Sequence, residues 1–114
     1  MSPEERDPGL LSDMVIAARK VVRYTDDVAL EQFLGDDMMQ NAVLHLLMII
    51  GEAANRVSPA TKTAIDLPWA KIIGQRHVVV HDYRRLDLNR IWQTTRTFLP
   101  PLVAAIERHL TEHP

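Results

Sequence analysis

Residues 36–57 read DDMMQNAVLHLLMIIGEAANRV, and the fold class turns on this run. Met38, Ala42, Leu46, Ile49, Ala53 and Val57 recur at the three-and-four spacing of one helical face. The run holds no proline, and Gly51 is its single weak helix former. It predicts the longest helix of the chain, from Asp36-Asp37 to about Val57. Ser58-Pro59 closes it, because a proline pushes the preceding residue out of the α region. The most apolar part, Ala42 to Ile50, carries His45 and falls well short of the roughly 20 residues that span a bilayer. It reads as a buried helix rather than a membrane span, with His45 as an interior histidine.

Working outward, Leu11, Met14, Val15, Ala18, Val21 and Val22 form a second amphipathic stripe. Residues 26–35 predict one or two short helical turns, with Asp26 and Asp27 as caps, Glu31 as a capping partner and Gly35 at the end. Residues 1–8 are charged and hold two prolines, which predicts a flexible tail and argues against a signal peptide. Downstream, Pro68 opens a short helix to about Ile73, and Gly74 permits a bend. Val78-Val79-Val80 favours a strand on propensity, but no second strand candidate exists to pair with it, so helix is assigned. Leu88 to about His113 is helical by pattern, with Pro100-Pro101 set to kink or break it. Trp69, Trp92, Phe98, Met38, Met39 and Met48 are read as packing residues. The sum is an all-α chain whose helices and short connections pack as an antiparallel bundle of four to five helices. At 114 residues, the chain is expected to form a single domain, residues 1–114.

Composition narrows the chemistry. No cysteine is present, which removes disulfides, thiolate nucleophiles and cysteine-held metals and fits a cytoplasmic location. Thirteen Lys and Arg against fifteen Asp and Glu give a net charge of −2, so a nucleic acid would meet only local positive charge, of which Arg76, Arg84, Arg85 and Arg90 are the densest cluster. A solvated face is the other reading of those arginines.

The chemistry-bearing candidates lie in Arg76-His77-Val78-Val79-Val80-His81-Asp82-Tyr83. Arginine presents a fixed fork of donors to phosphate oxygens, and histidine exchanges protons near neutral pH, a combination suited to phosphodiester cleavage. Five positions apart on a regular helix, Arg76 and His81 diverge by about 140°. Either the helix is irregular near Gly74, or two copies of the chain share the site about a two-fold axis. The alternative is structural: Arg76 paired with a carboxylate, His81 on the surface, Tyr83 packing with its hydroxyl at the rim. His77 and His81 share the i, i+4 spacing of metal ligands, but Val78 stands where a zincin-type site needs glutamate, and no metal is expected.

Arg76, four residues, His81, one residue and Tyr83 together resemble the Arg-x4-His-x-Tyr signature of HepT-like toxins in the HEPN superfamily. Further blocks resemble that family in the same order: Leu34 to Val43, Ile49 to Ala54, Leu67-Pro68-Trp69, Ile72-Ile73-Gly74, Asp87-Leu88, Trp92 and Leu99-Pro100. The resemblance spans about residues 10–110. It implies a HEPN-type bundle in a two-fold symmetric homodimer, and metal-independent, cofactor-free cleavage of RNA, tRNA included, at a cleft shared by two subunits. Arg76 and His81 would be the catalytic pair. It further implies the toxin of a type VII toxin–antitoxin system, silenced when a minimal nucleotidyltransferase antitoxin of the MntA type attaches AMP to Tyr83. His77 stands where relatives usually carry asparagine and is an auxiliary candidate. A non-catalytic HEPN-like bundle that binds nucleotide or RNA, as scaffold for a nucleotidyltransferase, is the competing expectation.

Overall fold

The chain enters its first helix almost at once. Ser2 stays extended and its hydroxyl accepts from the Glu5 amide at 3.2 Å, Pro3 fills the first turn where no amide donor is needed, and Glu4 and Glu5 face the positive helix end. Helix α1 runs Pro3–Tyr24. The flexible tail expected over residues 1–8 is therefore corrected over residues 3–8. Their charge and prolines suit a helix start, and Asp7 is buried against Ser58 and Thr61 of another segment. The computed structural model describes residues 2–81 and 87–114, with side chains for 2–75 and 87–114.

At 22 residues α1, rather than the 20-residue α3 (Asp37–Arg56), is the longest helix. Between them lies α2, Leu30–Leu34. Its cap is not Asp26 or Asp27 with Glu31: the Ala29 amide donates to the Gln32 side chain at 2.8 Å, while Asp27 takes up a left-handed turn at φ 57°. At the other end Gln40 reaches back to donate to the Phe33 and Leu34 carbonyls, satisfying acceptors that a short helix leaves open. Asp36 caps α3 by accepting from the Met39 amide at 3.0 Å. Ser58 then caps a further helix, α4 (Pro59–Ala64).

Helix α5 spans Trp69–His81. The break expected near Gly74 does not occur, and the β-branched triplet at 78–80 is helical. The C-terminal segment runs as α6 (Leu88–Gln93), a π-helical turn (Thr94–Phe98) and α7 (Leu99–Glu112). Pro100 and Pro101 neither end the helix nor sit in its middle. The wide turn before them, in which the Leu99 amide bonds the Thr94 carbonyl, places both in the first turn of α7, where a missing amide is tolerated.

Helix α1 packs on α3 and α7, and α3 packs on α5. Met14, Val21, Phe33, Val43, Leu102 and Ile106 sit fully enclosed where these helices meet. Phe33 lies 5.0 Å from the ring of half-buried Trp92, tying α2 to α6. No strand occurs among the described residues, and no helix among them is long and apolar enough to cross a membrane.

Candidate functional site

Trp69 opens α5 with its ring buried and its indole N–H donating to the Ile65 carbonyl at 3.0 Å. Ile72 is buried, so the first half of the helix is held to the core. Arg76, His77 and His81 follow on the second half of this one helix. Their side chains, and Tyr83, Asp82, Arg84 and Arg85 altogether, lie outside the described residues. What the backbone fixes is register: without a break at Gly74, positions 76 and 81 face about 140° apart.

A cavity of about 550 Å³ opens between the first half of α5 and the α6–π-turn segment. Lys71 and Gln75 line it from α5, Arg90 and Gln93 from α6, and Thr97 and Phe98 from the π turn. The Gln75 amide group donates to the Thr94 hydroxyl at 3.5 Å across its base, and that hydroxyl donates to the Arg90 carbonyl at 3.1 Å. Of the basic cluster noted in the sequence, Arg90 is described, and it is exposed at this cavity. Phe98, read as a core residue, is half-buried there. Lys71, Gln75 and Thr97 carried no sequence signal, because a single lysine, glutamine or threonine gains meaning only from what lies across the gap.

A second depression of about 310 Å³ lies between α1 and α3, with Leu10, Met48 and Ile49 on its walls and Asp13, Glu52 and Arg56 among its charged groups. His45 is exposed rather than interior, since its neighbours Leu44 and Leu46 take the buried positions. Met38, read as packing, is also on the surface, 79% exposed in the first turn of α3. Among the described residues no three His, Asp or Glu side chains are arranged to hold a metal ion.

Comparison with known proteins decides the family. The model of the HepT-like ribonucleases matches residues 14–109, nearly the whole chain. This chain belongs to the HepT-like ribonuclease family. A Methanocaldococcus jannaschii protein provisionally named an RNase is 26% identical over 98 residues, covering 85% of this chain and 90% of its own. A Thermococcus cleftensis protein named probable ribonuclease HepT is 29% identical over 99 residues, covering 86% and 90%. No solved structure matches significantly. The HepT-like match takes in the whole of α5, the cavity beside it and most of α7.

Proposed function

We propose that this HepT-like chain is a metal-independent endoribonuclease whose catalytic cleft is shared by two copies about a two-fold axis. The observation that carries this reading is the unbroken α5. Arg76 and His81 stand on one helix at diverging positions, so a cleft within one chain would not collect both, whereas a two-fold axis brings in the second copy's pair. In that cleft the arginines hold the phosphodiester oxygens. One His81 accepts the proton of the ribose 2′-hydroxyl as its oxygen bonds to phosphorus, and the second donates a proton to the departing 5′-oxygen as the P–O5′ bond breaks. The products are a 2′,3′-cyclic phosphate and a free 5′-hydroxyl, with no change of oxidation state. His77 is an auxiliary group beside this pair.

The resemblance extends the proposal to a toxin of a type VII system, acting on RNA such as tRNA in the cytoplasm. Its partner is a minimal nucleotidyltransferase that attaches AMP to Tyr83. Each added phosphate places negative charge near Arg76, occupying the cation and repelling the substrate backbone. The test is cleavage of RNA by purified protein in the presence of a chelator. Arg76→Ala and His81→Ala each lose at least about a thousandfold in rate, in the range of losing a general acid–base or a charge-stabilising group. Retained cleavage in both variants overturns the assignment, and RNA binding without cleavage by the wild type favours the non-catalytic scaffold.

A further inference from the structure

The cavity between α5 and the π turn is built from parts that suit one kind of ligand. Lys71 and Arg90 stand at its two walls, both exposed, and neither has an ion-pair partner among the described residues. Asp87, the carboxylate at the rim, is committed to capping α6: one of its oxygens accepts from the Asn89 and Arg90 amides at 3.1 and 3.3 Å. Gln75 and Gln93 each offer both a donor and an acceptor, the complement of a nucleobase edge. Phe98 contributes a half-buried aromatic ring. At about 550 Å³ the space falls within the range of pockets that hold small ligands.

The wall that carries Phe98 is held from behind. Within the same π turn, Arg96 points away from the cavity: its guanidinium donates to the Thr25 and Val28 carbonyls, the latter at 2.7 Å, and lies 4.3 Å from the Trp92 ring centre. Thr95 is buried, its hydroxyl bonded to the Trp92 carbonyl at 2.7 Å. A π-helical turn is rare and marks functional segments in many helices. Here it aims Thr94, Thr97 and Phe98 into the cavity while Thr95 and Arg96 anchor to the core side. On α5, Ile72 lines the cavity one helical turn before position 76.

From this we infer that the cavity is a nucleotide subsite for single-stranded RNA, next to the cleavage position. Lys71 and Arg90 hold backbone phosphate, Phe98 supports the base face, and Gln75 and Gln93 meet its edge. The inference rests on the ribonuclease reading for the identity of the nucleic acid. A single strand is required because a base must leave its stack to enter a cavity of this depth.

The experiment uses the full chain carrying His81→Ala, so that binding is read without cleavage. The probe is a short, mixed-sequence, 5′-fluorescein-labelled single-stranded RNA followed by anisotropy. In that background, Lys71→Gln with Arg90→Gln weakens binding about tenfold and lowers the log–log salt slope by about two, one for each lost phosphate contact. Phe98→Leu weakens binding with the slope unchanged, since stacking carries no counterion release. Arg108→Gln, which removes a charge near the far end of α7, leaves binding and slope as they are. Circular dichroism of each variant confirms the helical fold. Absence of RNA binding, affinity of the Lys71/Arg90 variant within twofold of its parent, or a duplex competitor with the same dependence on Phe98 each overturns the inference. Wild-type protein that binds in this pattern but cleaves nothing overturns the ribonuclease reading and leaves the subsite standing. Cleavage with binding indifferent to Lys71, Arg90 and Phe98 does the reverse.

Discussion

The Asp7 carboxylate accepts from the Ser58 amide at 2.9 Å and from the Ser58 hydroxyl at 2.5 Å, joining positions 51 residues apart. The Thr61 hydroxyl adds a third donor at 2.6 Å. Burial alone pushes this carboxyl up, but the hydroxyls of Ser58 and Thr61, the Ser58 amide and the nearby Arg6 charge outweigh it, and the group sits below the ordinary carboxylate value. Because the folded value is the lower one, the ionised group stabilises the fold above the unfolded value, and this contribution disappears as pH falls through the folded value. Asp7→Asn is therefore expected to cost about 1–3 kcal/mol at neutral pH, as buried donors lose a charged acceptor. Urea unfolding should show the gap between wild type and variant narrowing toward pH 3. A gap that stays constant with pH would show that the charge is not what stabilises.

Arg96 makes the second long-range bond that organises the fold. Its two carbonyl acceptors, on Thr25 and Val28, lie in the turn after α1, where Asp27 has a positive φ. Replacing it with lysine keeps the charge but loses the planar fork and the stacking over Trp92. Arg96→Lys should destabilise by about 1–3 kcal/mol. Amide exchange should quicken first at residues 25–29, and quickening spread evenly over all helices would argue against a local anchor.

Both bonds mark what the sequence hid. The helical period was legible wherever one face is buried, as in α1, α3 and α7, because burial imposes the three-and-four spacing directly. Asp7 and Arg96 looked like solvated charges, since their partners are distant in the chain and a hydroxyl or a carbonyl leaves no pattern. The family motif was legible as a string. The cavity beside it was not, because Lys71, Arg90 and Phe98 become a set only when the π turn brings the last of them across from α5. That turn in turn answers Pro100-Pro101, whose effect on direction was foreseen but not its form.

Gly74 separates two accounts of α5. A glycine kept as a hinge would lose function when replaced, whereas in a continuous helix it is merely a weak helix former. A Cβ at position 74 would meet nothing within 4 Å. Gly74→Ala should therefore stabilise the protein by about 0.5–1 kcal/mol, with RNA cleavage retained. A stabilised but inactive variant would restore the bend that the sequence had allowed.

The shared cleft is open to a mixing test, because two inactive chains can complement each other only if the site draws on both. Chains carrying Arg76→Ala keep His81, and chains carrying His81→Ala keep Arg76. Unfolded together in equal amounts and refolded, they pair at random, so about half of the dimers hold one intact arginine and one intact histidine from opposite subunits. Cleavage should rise well above that of either variant alone while staying below wild type, since each mixed cleft lacks one arginine and one histidine. Light scattering on the same samples should show the dimer mass. A mixture as inactive as its components, with the dimer present, would place each Arg76 and His81 in separate sites within single chains.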